Sequence, residues 1–536
     1  VESSDARAAT IVGAGAGSLS LAALLAKDGW NVRVFERAAG PGGKACVRHE
    51  AGFVYDEGPS ILILREVYDG FFARLGLARE DVLAFDDLDP AFRIVGADGS
   101  DFFLHADFSA TLRSVRHGLR TAGGVTAERA ARELEELVTS LDTFARVIGL
   151  SFADRAVSSW LDFARPRLAL SGLFVSPFAK YKSFIDARLS HPLLREFFYG
   201  FPGYAGYHPA EAPASLVLLP WQILRRGVFY PRGGVGAIVR AMEEAGRSLG
   251  VTFHYGVTVD AFERTASHKE QGAICALKTS AGRVEIAPGE QVIFGGCLGW
   301  LASDEGAPEM VASDVREKWR AQSPSFFTVQ TGMDARVRAQ WNLAHHTLLL
   351  PIKPEQSYQD YFQPGATNPV DPPLYLNIPS VTDRTVAPDG FDNLFLVVSV
   401  PSRERGAGLD AAHADSPAHP EDALEEAHTY ARACLTRVRG YFPGLPASAF
   451  DGAPFHVKET ARFETELLQK GGQIYGPSLR TAQRFAGFAR PHPRSRAVSN
   501  LWFVGGGTQP GAGLPMVVQS GRIVAQALNA AFSVLP

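Results

Sequence analysis

Ala9-Thr-Ile-Val-Gly13-Ala-Gly15-Ala-Gly17-Ser18-Leu-Ser-Leu-Ala-Ala-Leu-Leu-Ala26 and, after Gly29, Asn31-Val-Arg-Val-Phe-Glu36 decide the fold of this chain. Ala9–Val12 reads as a short buried strand, Leu19–Leu25 has apolar residues at helical spacing, and Asn31–Glu36 reads as a second strand. The glycines fall at the first turn of this strand–turn–helix–strand unit. Gly13 permits the tight turn, and Gly15 lets the backbone approach a phosphate. Gly17 and the small Ser18 start the helix, Ser18 at the position whose expected role is close helix–strand packing. The free N–H groups and positive dipole end of the helix suit a pyrophosphate. Glu36, about 20 residues downstream, is placed to accept from ribose hydroxyls. The unit predicts a dinucleotide site.

The rest of the composition narrows the class. The chain has 536 residues, 46% of them hydrophobic and 21% charged, enough for more than one domain of a large globular protein. A formal charge of −4, from 53 basic and 57 acidic residues, offers no footprint for nucleic acid. The four cysteines, Cys46, Cys275, Cys297 and Cys434, are widely separated, which argues against disulfides and a cysteine zinc site and fits a reducing, cytoplasmic compartment. No apolar run approaches the roughly 20 residues of a membrane span. The first residues hold no cationic stretch leading into an apolar signal core.

Three further segments give the dinucleotide an identity. Arg37 is followed by Pro41-Gly42-Gly43-Lys44, and Asp56-Glu57-Gly58-Pro59-Ser60 comes soon after. Near the other end, Leu501–Val504 reads as a buried strand before Gly505-Gly506-Gly507-Thr508-Gln509-Pro-Gly-Ala-Gly513-Leu514-Pro515-Met516, which opens an apolar helix. Such a helix N-terminus can stabilise negative charge on a reduced flavin. The chain resembles the FAD-containing amine oxidase and phytoene desaturase superfamily. Its C-terminal segment is similar to the VGxGTxPGxGxP signature of bacterial-type carotenoid desaturases, the phytoene and hydroxyneurosporene desaturase family. Lys44 stands where an Arg is usual, Gln509 where His is frequent, and Met516 where Gly is frequent.

The resemblance implies an α/β fold: a Rossmann-like FAD-binding domain with an interleaved α+β substrate domain and a helical lid. It implies a discontinuous FAD-binding domain over residues 1–85, 225–300 and 480–536. A helical, membrane-facing part would cover 86–224, and a substrate-binding domain 301–479. FAD would be held by Gly13, Gly15, Gly17, Ser18, Glu36, Arg37, Gly42, Gly43, Lys44 and Gly58-Pro59-Ser60. It would also be held by Gly505-Gly506-Gly507-Thr508 and Gly513-Leu514-Pro515-Met516, and by Val259 through its backbone. Val259 ends Val251–Val259, expected as one strand after a helix at Ala237–Leu249. Gly203–Pro213, Gly472-Gln-Ile-Tyr-Gly476 and Arg490-Pro491 match further islands of the family. Gly295-Gly296-Cys297 departs from the Asn-Ala-Asp-like turn usual there.

The implied substrate is a long polyene received in an apolar tunnel, with Phe201, Tyr204, Tyr207, Trp221 and Tyr230 as candidate walls. The implied reaction is desaturation, with hydride transfer to the flavin and then proton loss, and a quinone or oxygen as final acceptor. No general base is evident; Arg232 and His208 are the polar candidates. Isomerases, saturases and ketolases of similar polyenes are alternatives, as is a flavin-free prenyl-binding protein of the GDP-dissociation-inhibitor type. His345-His346 invites a metal reading, but no third ligand stands at a suitable spacing, and neighbours on a strand should point to opposite faces. No metal is expected. Residues 165–195 interleave Arg165, Arg167, Lys180, Lys182, Arg188 and Arg195 with large apolar residues, which suits either a helix pressed into anionic headgroups or a lid packed on the core. A peripheral membrane association is expected.

Overall fold

In the computed structural model the structure is described for residues 7–148, 175–176, 179–265, 272–319, 323–351, 362, 368–402, 420–450, 454–476 and 490–533. Two sheets organise it. The first is parallel and five-stranded, in the order Leu501–Phe503, Gln291–Phe294, Ala8–Val12, Asn31–Glu36, Thr252–Tyr255. Its strands come from chain segments hundreds of residues apart. On one face lie the helices Ala16–Lys27, Gly236–Ser248 and Leu514–Ser533, sharing one apolar core with the strands. On the other, Phe294 and Phe503 pack with Ile274, Leu277 and Ile286 of a three-stranded antiparallel layer, Val259–Arg264, Ile274–Thr279 and Gly282–Glu285. Both faces are covered, as a parallel sheet requires.

The expected single strand Val251–Val259 is two strands. Gly256 adopts φ +69°, a left-handed conformation that breaks the extended run. Its amide bonds to Ala38 O at 3.0 Å and that of Val257 to Glu36 O at 2.9 Å. Thr252–Tyr255 therefore joins the parallel sheet, while Val259 begins the antiparallel layer beside the Glu36 end.

The second sheet has seven strands, in the order Phe455–Lys458, Ser325–Asp334, Phe391–Val400, Leu374–Asn377, His346–Leu350, Phe92–Gly96, Asp101–Leu104. Strand alternation divides its residues between two cores. Leu394, Leu396 and Val398 face the helix Pro420–Tyr441. Phe395 and Val397 face the other way, into a core shared with the helices Ala127–Ile148, Tyr181–Asp186, Pro192–Tyr199 and Leu218–Arg226. The site lies between this second face and the parallel sheet.

The basic, apolar stretch 165–195 is described only in part; Arg165 and Arg167 lie outside the described residues. In the described part, Phe184, Ile185 and Leu189 belong to the core. Lys182 pairs with Asp186 at 2.9 Å, Arg188 donates to Phe184 O, and Arg195 donates to Asp186 O.

Candidate functional site

The two glycine turns from opposite ends of the chain meet. Gly13, at φ +96°, closes the first turn with its amide on Phe35 O at 2.7 Å. The helices Ala16–Lys27 and Leu514–Ser533 then cross at a distance only glycine allows. A Cβ on Gly17 would lie 3.1 Å from Val517 Cγ1 and 3.2 Å from Gly505 Cα, and one on Gly521 would lie 2.7 Å from Ser20 Oγ. Ser20 Oγ donates to Val518 O at 3.0 Å across the same seam. Gly17 thus does the close packing expected of the third fingerprint position, against the C-terminal helix and not a strand. Ser18, buried, abuts Gly295 at the end of the neighbouring strand, and its hydroxyl has no partner among the described residues.

This crossing sets the two helix N-termini side by side, each with unpaired backbone amides. Gly15, Gly505 and Gly513 have no atom within 4 Å of where a Cβ would stand. They face open space while Gly17, Gly42 and Gly58 are packed against protein. Gly42 pairs with Gly15 through its amide on Ala14 O at 3.0 Å, and a Cβ on Gly58 would run into the carbonyl of Lys44. Glu36 sits over the first turn, accepting from Ala14 N at 2.6 Å and Ala38 N at 2.8 Å. Arg37 is exposed and bonds Glu466 O.

Cations gather at the far end of the crevice. Lys44 Nζ donates to Ile474 O at 2.6 Å, and the buried Arg490 donates to the next carbonyl, Tyr475 O, at 2.6 Å. Burial lowers Lys44 to about 8 and Arg490 to about 10. Cys297 is an electrostatic neighbour of Lys44. Arg490 also anchors the second turn: Gln509 donates to its carbonyl at 3.0 Å, and Thr508 Oγ1 donates to Pro491 O at 2.6 Å. A groove of open glycines, helix amides, one carboxylate, a half-buried lysine and a buried arginine fits a phosphate-bearing, ring-bearing cofactor.

Beside it runs an aromatic wall. Phe197, Phe201, Tyr204, Tyr475 and Phe326 follow one another with ring centroids 5.1, 6.1, 6.3 and 5.7 Å apart. Tyr207 is buried near Arg490. Trp221 belongs to the same apolar core as Phe197, Phe201 and Tyr207, and donates to Asp142 at 2.9 Å at a surface pocket with Arg225 and Arg226. Tyr230 is buried against Asp56 and His345, with ring centroids 4.8 Å apart for the latter pair. Asp56 accepts from Val235 N at 2.7 Å, and burial pushes its carboxyl up to about 7. Ser60 lies 3.0 Å from the Tyr375 hydroxyl.

Of the two polar candidates, Arg232 is exposed and held in a bidentate pair with Asp86 at 2.8 and 2.9 Å. His208 Nδ1 accepts from Ala210 N at 3.1 Å within its own turn, its ring edge-on to Phe362. His345 and His346 do not diverge. His345 precedes the strand, so alternation does not govern it, and the two rings meet edge to face at 4.5 Å. No cluster able to hold a metal occurs among the described residues. Tyr475 and Arg490 lie in islands the sequence singled out without a role. Tyr375 carries no sequence signal, since Leu374–Asn377 reads as any buried strand.

The chain matches the family described as flavin containing amine oxidoreductase over residues 18–529. It is 29% identical to the zeta-carotene-forming phytoene desaturase of Myxococcus xanthus, over 98% of this chain and 94% of that protein. It is 30% identical to the hydroxyneurosporene desaturase of Rhodobacter capsulatus, over 97% of each, and 28% identical to a 4,4'-diapolycopene oxygenase of Methylomonas sp, over 98% of each. Among solved structures, an oxidoreductase from Methanosarcina mazei superposes with a TM-score of 0.60 at 16% identity, over 97% of this chain and 100% of that one, a likeness of fold.

Proposed function

The chain belongs to the flavin containing amine oxidoreductase family, among its carotenoid desaturase relatives, and from that premise we propose that it is an FAD-dependent desaturase of a long polyene. At the level of class it is a flavin-dependent oxidoreductase acting on CH–CH groups. The observation that carries the finer reading is the meeting of two helix N-termini around Gly15, Gly505 and Gly513, where each of these turn glycines faces open space.

On this reading residues 1–85, 225–300 and 480–536 form the FAD-binding domain, 86–224 the lid and 301–479 the substrate domain. The Gly13–Ser18 turn and the amides of the helix Ala16–Lys27 take the diphosphate, Glu36 the ribose, and Val259 the adenine side. Gly58–Ser60 and the second glycine turn border the ring, with the dipole of Leu514–Ser533 favouring negative charge there. When bound, the flavin supplies acceptance of two electrons and one hydrogen from a C–H bond. The protein's share is alignment and exclusion of water. Phe201, Tyr204 and Tyr207, with Tyr475 and Phe326, form apolar walls beside the site. A polyene gains about 0.8 kcal/mol for each CH₂ it buries there.

No helix among the described residues is long and apolar enough to cross a membrane. The protein is proposed to take its substrate while peripherally associated with the membrane on the cytoplasmic side, and to pass electrons to a quinone or oxygen. The oxygenase relative supports a second reading, oxygenation of a polyene end. Expression in cells making defined acyclic carotenoids, followed by pigment chromatography and mass measurement, separates the two. Loss of two hydrogens with a longer chromophore supports desaturation, a gain of oxygen supports the second reading, and altered geometry alone supports isomerisation. Colourless purified protein that cannot be reconstituted with FAD overturns the oxidoreductase reading and favours a binding protein.

A further inference from the structure

Desaturation removes a second hydrogen as a proton, and a buried pair of polar side chains beside the Gly58–Ser60 segment is suited to take it. The Tyr375 hydroxyl lies 2.8 Å from His346 Nδ1 and 3.0 Å from Ser60 Oγ. It therefore links the Gly58–Ser60 segment to a histidine on the next strand of the large sheet. The electrostatic neighbours of Tyr375 include Tyr204, a member of the aromatic wall. The His346 ring packs between Phe92, at 4.9 Å, and Tyr375, at 5.8 Å. His345 meets it at 4.5 Å, and Asn377 stands opposite in the strand register. His346 is fully buried, with the Asn377 side chain as its other hydrogen-bonding neighbour.

We propose that the Tyr375–His346 pair takes up the proton lost from the polyene, an inference that rests on the desaturase reading above. One C–H bond gives its hydrogen and both electrons to the oxidised flavin. The adjacent C–H bond gives its proton to the Tyr375 oxygen as its electron pair becomes the new C=C bond, and the phenolic proton moves to His346 Nδ1. The substrate loses two electrons and two hydrogens, and the flavin and the pair gain them. Burial holds His346 well below its ordinary value and Tyr375 well above its own, so before the reaction the imidazole is neutral and the phenol protonated. The proton donor is an allylic cation, acid enough to protonate so weak a base. The rings of Phe92 and Tyr375 beside the imidazole favour its charged form for that moment.

The test compares wild type, Tyr375→Phe and His346→Gln, each loaded with FAD in liposomes carrying an acyclic carotenoid. One batch of substrate is deuterated at the proton-losing carbon. Tyr375→Phe is expected to retain FAD content, with a thermal midpoint lowered by the loss of two buried hydrogen bonds, while product formation falls by about 10²-fold or more, with a larger isotope effect than wild type. His346→Gln should change both readouts in the same direction. Variants that match wild type in rate and isotope effect overturn the relay while leaving the desaturase reading intact. A wild type that binds FAD yet leaves every polyene unchanged overturns the desaturase reading, and the relay with it.

Discussion

Ser18 and Gly295 depart from what their positions usually hold, and in space they are neighbours. A Cβ on Gly295 would fall well inside 3.0 Å of Ser18 Oγ, while lying 3.4 Å from Ser18 Cβ and 3.3 Å from Val12 O. The obstacle is therefore the hydroxyl, with the backbone nearly tolerant. Gly295→Ala should cost about 1–3 kcal/mol of stability, as overpacking a close-packed seam does. Ser18→Ala removes a buried hydroxyl that has no partner among the described residues. Since an unsatisfied buried group costs about 1–3 kcal/mol, Ser18→Ala alone should be neutral or stabilising. In the double variant the added methyl occupies the vacated space, and the pair should show a favourable coupling of about 1–2 kcal/mol. Urea unfolding of the four proteins, followed by tryptophan fluorescence at fixed flavin loading, measures the cycle. If Gly295→Ala costs as much in the Ser18→Ala background as in the wild type, the volume exchange is refuted.

Gly58→Ala has no such relief, because its Cβ would meet the Lys44 carbonyl. It should lower flavin content and thermal midpoint together, and a variant with normal flavin content would contradict the packing. Lys44, held at about 8 by burial, should bind an anionic cofactor best below that pH. Above it the free amine must take up a proton, so FAD affinity measured by fluorescence should fall as pH rises through 8, and Lys44→Arg should flatten the dependence. Arg232→Ala opens only an exposed pair with Asp86, so turnover and melting should match wild type; a large loss of turnover would give Arg232 a catalytic role.

The parts readable from sequence are those governed by local rules. The strand–turn–helix run of Ala9–Lys27 follows from apolar period and glycine placement, and it is present as Ala8–Val12 and Ala16–Lys27. Val251–Val259 misled for a local reason as well. The alternation there is continuous, and only the positive φ at Gly256 redirects the chain. His345 stands one residue before its strand starts, so strand alternation does not separate it from His346.

Turn geometry and periodicity are properties of adjacent residues. For that reason the glycine turn opening the first helix, Glu36 at the end of the next strand, and the second glycine turn before the last helix are all legible in the chain itself. The packing of Gly17 on the last helix is not, nor is the match of Ser18 with Gly295. The bond from Arg490 to the carbonyl of Tyr475, and the reach of Tyr375 to Ser60 across 315 residues of chain, are likewise products of the folded molecule. Those pairings depend on how close two backbones come, and that distance is set by what each element meets when the sheets close, which no local pattern encodes.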